Sequence, residues 1–234
     1  MSVDSAPRNV VLVHGAFVDG STWRGVYDLL REDGYRVAVV QNPTLSLQGD
    51  AAETWRVIDA QDGPVVLVGH SYGGMVITEA GSHDKVAALV YVAAFAPDKG
   101  ESVKTLSGVI DAPGSPVLSC DGFLFQNPAT FHHAFGADLP AADAAFMANS
   151  QLPWAVAAKD AFITQAAWHH KPTWYLVATE DHMIPPTEQR AMALRAGATT
   201  VEVTASHAVY MSQPAPVADL IRRAGVENCA VRRT

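Results

Sequence analysis

"VVLVGHSYGG", residues 65–74, runs four apolar residues straight into a cluster of glycines around one serine. The run is short, continuous and β-branched, which reads as a strand covered on both faces. Its abrupt end leaves two readings for Ser71: an ordinary turn residue, or a nucleophile carried on a tight turn between strand and helix. Gly69-His70-Ser71-Tyr72-Gly73 fits G-x-S-x-G and stands after a strand and before a helix, the context that this pattern requires. A serine lifted on a sharp turn crowds the residues two before and two after it, and glycine at 69 and 73 removes the Cβ atoms that would clash. Ser71 also falls at a helix N-terminus, where free N–H groups favour negative charge. A five-residue match alone is common in Gly/Ser-rich turns; the strand-to-helix context favours the nucleophile.

Similar apolar runs recur outward from this stretch: 9–14, 36–41 and 86–95 on its two sides, then 173–179 and 199–205 late in the chain. With 65–70 they make about six strands, near-continuous rather than alternating, as in a parallel sheet buried on both faces. Helical patterns separate them. Residues 22–33 place Trp23, Val26, Tyr27 and Leu30 at helical spacing, with Ser21 or Thr22 as N-cap and Gly34 beyond the end. The segment 187–196 starts at Thr187 after two prolines and stops before Gly197. A last helix carries Val217, Leu220 and Ile221 on one face and ends near Gly225. Strands alternating with helices give an α/β class with a mostly parallel sheet.

The rhythm breaks between 97 and 170, where prolines scatter, aromatics stand alone and strand signal is poor. Helical fragments fall at 139–149 and 157–168. This stretch reads as a helical cap inserted before the penultimate strand, because its aromatics need a surface to cover. The expected organisation is therefore a core of 1–96 and 171–234 with a cap at 97–170.

Composition bounds the rest. The chain has 234 residues, 49% hydrophobic and 17% charged, the profile of a globular protein of one large domain. Sixteen basic against twenty-four acidic residues give a formal charge of -8, with no dense Lys/Arg cluster. That balance argues against nucleic acid and anionic membrane surfaces as partners. "MSVDSAPRN" is polar and leads directly into a strand, with no secretory apolar region, and no run reaches the roughly 18 apolar residues of a membrane span. Cys120 and Cys229 are the only cysteines, and a reduced, cytoplasmic protein is the simpler reading. The partner expected is a small-molecule substrate; nothing in the chain specifies an oligomer.

A reactive serine needs a general base, and the base needs an orienting acid. Of nine histidines, His207 in "TASHAVYMSQP" follows the last strand, at the C-terminal edge of the sheet where catalytic groups gather. His14 and His70 flank turns and read as structural. His132, His133, His169 and His170 come as adjacent pairs without zinc-site spacing. His83 lies towards the opposite end of the sheet, and His182 sits beside an acid. That acid is Asp181, in "VATEDHMIPP" just past the penultimate strand; Glu180 reads as a solvated neighbour, and Asp98 in "FAPDKG" is the rival orienting acid. An oxyanion hole needs two pre-aimed donors. The Tyr72 N–H, next to the serine, supplies one, and the Ala16 N–H supplies the other, from the loop "VHGAFVDG" where Gly15 permits an unusual turn. Phe17 from that loop and Trp154 from the cap are the candidate substrate-lining residues, and ordinary packing is as good an account of each.

"VLVHGAFVDGSTW", "VVLVGHSYGG", "VATEDHMIPP" and "ASHAVYMSQP", in this order, resemble the α/β-hydrolase superfamily, in the branch that holds plant methyl esterases, hydroxynitrile lyases and bacterial esterase-like proteins. The resemblance implies the α/β-hydrolase fold over almost the whole chain, with Ser71, Asp181 and His207 as its triad in that family's chain order. It implies Ala16 and Tyr72 as the oxyanion amides, and no metal or organic cofactor. The lyases of this branch carry a threonine near Gly15 and a lysine right after the catalytic histidine; Gly15 and Ala208 here favour hydrolysis. The expected activity is hydrolysis of a carboxylic ester of a small, largely apolar molecule through an acyl-enzyme. The alternatives are a lactonase or C–C bond hydrolase with the same triad, a cofactor-free perhydrolase of the haloperoxidase-like kind, a hydroxynitrile lyase-like enzyme, or a ligand-binding receptor on the hydrolase fold.

Overall fold

The structure, a computed structural model, describes residues 8–107 and 117–231, with side chains up to Val226. Its centre is a six-stranded parallel sheet. The strands are β1 (Asn9–Val13), β2 (Arg36–Val40), β3 (Val65–His70), β4 (Val86–Val92), β8 (Thr173–Ala178) and β9 (Thr199–Val203), in spatial order β2-β1-β3-β4-β8-β9. The strand carrying "VVLVGH" lies near the middle, paired in parallel with β1 on one side (Val66 beside Val10, Gly69 beside Val13) and with β4 on the other (Gly69 beside Tyr91).

Continuous apolar strands make sense only with cover on both faces, and both faces are covered. Successive side chains point to opposite sides. Val10, Leu12, Val66, Val68 and Val90 pack with Trp23, Leu30, Val217, Leu220 and Ile221. These come from α1 (Arg24–Glu32), the turn before it, and α10 (Pro214–Val231). Val11, Val13, Val65, Leu67 and Leu89 face the other layer, with Leu47, Ile58, Met75, Val76 and Met192. That layer holds α2 (Leu47–Asp59), α3 (Gly73–Ala80) and α8 (Pro186–Arg195). A short α9 (Val209–Ser212) precedes α10.

Two helix ends differ from the sequence reading. The first helix is entered through a 3₁₀ turn, Gly20–Trp23, whose cap is Asp19 and not Ser21 or Thr22: its carboxylate accepts from Ser21 N at 2.7 Å. The last helix runs through Gly225 to Val231. A glycine in mid-helix weakens a helix without ending it.

The insertion lies where expected, between the adjacent strands β4 and β8, but helices do not account for all of it. It holds α4 (Val103–Leu106), α5 (Phe131–Phe135), α6 (Ala141–Asn149) and α7 (Val156–Asp160), together with a three-stranded antiparallel sheet. That sheet is β5 (Val117–Cys120), β6 (Phe123–Gln126) and β7 (Trp154–Ala155). Its hairpin turns on Asp121 (φ 49°) and Gly122 (φ 81°), the pair of positive φ values that a two-residue hairpin turn demands. The helix expected over 157–168 is a single turn, Val156–Asp160.

Several hydrogen bonds sew the cap to the core, three of them between backbones beside the cleft. Leu152 N donates to Phe17 O at 3.3 Å, and Ala155 N donates to Thr44 O at 2.9 Å. Ala208 N, beside His207, donates to Phe135 O at 2.9 Å. Asp138 adds to the third attachment by accepting from the Ser206 and Ser212 hydroxyls. Cys120 is free and exposed, and the side chain of Cys229 lies outside the described residues. Among the described residues no helix is long and apolar enough to cross a membrane.

Candidate active site

Ser71 tops the central strand with φ 53°, in the left-handed region that a serine seldom enters. Three bonds hold it there: its carbonyl accepts from Gly74 N at 2.9 Å and from Phe95 N at 3.2 Å, and its N–H donates to Val92 O at 3.4 Å. The glycines two residues away are dictated by backbone. A Cβ at Gly69 would lie 2.5 Å from Gly73 O, and one at Gly73 would lie 2.6 Å from Val13 O. The turn is therefore an elbow compressed between strand and helix, with α3 starting directly after Tyr72.

The loop after β1 reaches the same point. Gly15 comes so close that a Cβ there would sit 2.7 Å from Ser71 Cβ. His14 anchors this loop: its Nε2 accepts from Asn42 N at 2.9 Å, so the proton is on Nδ1, which donates to Gly15 O at 2.8 Å. Burial holds its pKa below the ordinary imidazole value, in keeping with that neutral tautomer. Ala16 and Tyr72 both line the cleft beside Ser71, and neither backbone N–H has an acceptor among the described residues.

His207 and Asp181 form a fully buried pair, with Nδ1 2.7 Å from Oδ2. Asp181 is saturated as an acceptor. Its Oδ1 takes Met183 N at 2.7 Å and Ile184 N at 2.9 Å, and its Oδ2 also takes Gln189 Nε2 at 2.8 Å. These donors fix the carboxylate in direction. His207 Nε2 is buried and has no hydrogen-bond partner among the described residues. Among the described residues it is bonded neither to Ser71 nor to any other group.

His70 connects the two halves. Its Nε2 donates to the His207 carbonyl at 2.9 Å, and the two rings stand 4.6 Å apart. Burial, with His207 beside it, holds His70 well below the ordinary imidazole pKa, so it is a neutral strut. Phe135 from the cap packs edge-on against His207 at 5.0 Å.

The cleft is lined by Ser71, Ala16, Phe17 and Tyr72 from the core loops, by Trp154 from the cap, and by Phe95, Met183 and Ile184. It carries no charged side chain, and its free volume of about 10 Å³ is on the order of one water. Phe17 meets Trp154 edge-to-face at 5.6 Å, and Tyr72 meets Trp154 at 5.2 Å. Phe17 and Trp154, the two expected lining residues, thus stand in one wall.

The remaining candidates go elsewhere. Asp98 accepts from His169 Nε2 at 2.9 Å, half-buried at the cap root, and is not a partner of His207. His83 pairs with Asp59, His132 with the Leu139 carbonyl, and the His182 ring packs on His133. Among the described residues no group of three or more His, Cys, Asp or Glu could hold a metal ion.

Several residues around the site escaped the sequence reading: Gln189, Asp50, Asp138, and the lining residues Phe95, Met183 and Ile184. Gln189 had one signal, a polar side chain facing the core one turn into a proline-started helix. Met183 and Ile184 follow Asp181 directly and could have been read as wall residues on that ground.

Comparison with known proteins agrees with this architecture. The profile described as "Alpha/beta hydrolase family" matches residues 10–220. A pyrethroid hydrolase of Sphingobium wenxiniae is 26% identical over 250 aligned positions, covering 91% of this chain and 86% of that protein. A carbendazim hydrolyzing esterase of a Nocardioides species is 37% identical over 112 residues, which span 42% of this chain and 46% of that protein. The solved structure of polyneuridine aldehyde esterase superposes with a TM-score of 0.78 at 20% identity, covering 92% of this chain and 97% of that one. At that identity the likeness speaks for the fold. With a profile match running from the first strand into the last helix, the chain belongs to the alpha/beta hydrolase family.

Proposed function

We propose that the protein is a serine hydrolase that cleaves a carboxylic ester of a small, largely apolar molecule. The observation that carries this reading is the buried His207. One ring nitrogen is committed to Asp181, the other is bare, and its backbone is strutted by the neighbour of a serine on a strained elbow. A histidine so arranged is a proton acceptor with its tautomer already set.

In this mechanism Ser71 Oγ attacks the ester carbonyl and its proton passes to His207 Nε2. Asp181 stabilises the imidazolium that results. The Ala16 and Tyr72 amides, free of other acceptors, hold the tetrahedral oxyanion. His207 then returns the proton to the leaving alkoxide. Water, deprotonated by the same nitrogen, releases the acid from the acyl-enzyme. The Ser71–His207 hydrogen bond absent from this structure forms when the serine turns towards the base, as catalytic bonds often tighten only with substrate present.

The lining supports the substrate class. Phe17, Tyr72, Phe95, Trp154, Met183 and Ile184 offer apolar contact and no counter-charge, so an uncharged ester is favoured over an acidic or basic one. Relatives named for hydrolysis of pyrethroid and carbendazim, and methylesterases of Arabidopsis thaliana, are in keeping with ester cleavage of such molecules. With space for about one water, the cleft admits an ester only as side chains of its aromatic wall swing aside.

The test is a fluorophosphonate probe together with a panel of neutral esters, lactones and β-diketones. Wild type should be labelled and should turn over esters, and Ser71→Ala should do neither. Labelling that persists in Ser71→Ala removes Ser71 as nucleophile, and turnover of lactones or β-diketones in preference to esters overturns the substrate class.

A further inference from the structure

Asp50 takes no part in the chemistry above, yet its side chain is fully buried on the first turn of α2. A buried carboxylate is costly to keep unless its partners justify it. Its partners are both neutral: Tyr72 Oη donates to Oδ2 at 2.7 Å, and Thr44 N donates to Oδ1 at 2.9 Å. Burial pushes its pKa up to about 6 against the pull of those two bonds.

The two partners lead to two touching aromatic residues of one cleft. Tyr72 follows Ser71, and its ring faces Trp154 at 5.2 Å. Thr44 sits at φ 58°, a strained position for a β-branched residue, and both its polar groups grip the cap. Its hydroxyl donates to Pro153 O at 2.7 Å and its carbonyl accepts from Ala155 N at 2.9 Å. Trp154 lies between those two anchors. One carboxylate therefore ties the aromatic side chain beside the nucleophile to the backbone that carries the facing aromatic side chain.

We propose that Asp50 is a positioning residue: through Tyr72 and Thr44 it fixes how the Tyr72 and Trp154 rings pack together, and so shapes the aromatic wall against which an ester with a flat, uncharged aromatic group is bound. The inference rests on the ester-hydrolase reading of the site. It separates binding from chemistry, because the Tyr72 backbone is held independently, its carbonyl accepting from Met75 N at 2.9 Å. Loosening the rings should then act on KM for aromatic esters rather than on kcat.

The experiment compares 2-naphthyl acetate with ethyl acetate in wild type, Asp50→Asn and Thr44→Ala. In Asp50→Asn the ratio of kcat/KM for the naphthyl ester to that for the ethyl ester should fall about tenfold, chiefly through KM. Thr44→Ala cuts the hydroxyl strap without touching the buried carboxylate and should move the ratio the same way. Amide hydrogen exchange at Ala155 should speed up in Asp50→Asn, a readout that needs no turnover. An unchanged ratio in the folded variants, an equal loss for both esters, or unaltered exchange at Ala155 overturns the proposal. Wild type that turns over neither ester, with Ala155 exchange still responding to Asp50→Asn, overturns the hydrolase reading alone.

Discussion

Gln189 clamps Asp181 from behind. Its Nε2 lies 2.8 Å from Asp181 Oδ2 and 2.7 Å from Ile184 O, and its Oε1 accepts from Ala178 N at 3.1 Å. One buried amide thus ties the end of β8, the acid and the wall residue after it. Gln189→Leu keeps the bulk and removes all three bonds. It is expected to lower kcat by up to about 10²-fold, the scale of a small misplacement of a catalytic group. Steady-state kinetics on a neutral ester checks this; an undiminished kcat would mean that Asp181 holds its direction unaided.

The orienting acid can be decided by paired substitutions. Asp181→Asn is expected to lower turnover by up to about 10⁴, because the amide cannot hold the required His207 tautomer. Asp98→Asn, which disturbs the bonds to His169 and to Lys99 N away from His207, is expected to stay within about twofold of wild type by the same reasoning. A reversed pattern would transfer the role to Asp98.

Asp50 gives a pH signature in stability. Its folded-state pKa is raised to about 6 by burial, so between the unfolded value and about 6 the native state binds the extra proton. Stability from this group is therefore lost as pH rises through that window, and Asn at this position removes the dependence. Tyr72, itself pushed well above the ordinary phenol range by burial, stays protonated throughout, and Glu53 on the same helix adds a like charge that reinforces the shift. The difference in Tm between Asp50→Asn and wild type is expected to move in favour of the variant from pH 4 to pH 7. Thermal scans across that range check it, and a difference that moves the other way would mean that Asp50 is ionised at low pH.

The elbow leaves no room at residue 69. Gly69→Ala would press a methyl against Gly73 O at 2.5 Å, and backbone cannot retreat as a side-chain end can. A loss of about 3 kcal/mol is expected, at the upper end for overpacking. Chemical denaturation measures it; a near-neutral result would show that the start of α3 can shift.

What was legible in the sequence followed from strands. Each of the six sheet strands is a short apolar run between turn residues, and Ser71, Asp181 and His207 each follow one, so position along the chain already grouped them. Helix ends were harder, because Asp19 caps from outside the periodic segment and Gly225 lies inside a helix that packing sustains. The cap was hardest. Its hairpin carries an Asp121-Gly122 turn, but the flanking strands have four residues each and no sustained alternation. Trp154 joins them only as part of a two-residue strand, paired by backbone contacts distant in sequence. Asp50 was invisible for another reason, and Gln189 nearly so: a polar side chain buried for its hydrogen bonds looks, in sequence, like one turned to water.

The adjacency of β4 and β8 at first suggests a cap that could be exchanged like a tool head, since its two ends leave and rejoin the sheet side by side. The Phe135 and Asp138 contacts to the His207 loop forbid that. Residues 206–208 donate four hydrogen bonds to cap residues, so transplanting a foreign cap would also unsettle the base. Broadening the substrates of this scaffold therefore favours changes around 152–155, which leave the 135–138 segment and its grip on His207 intact.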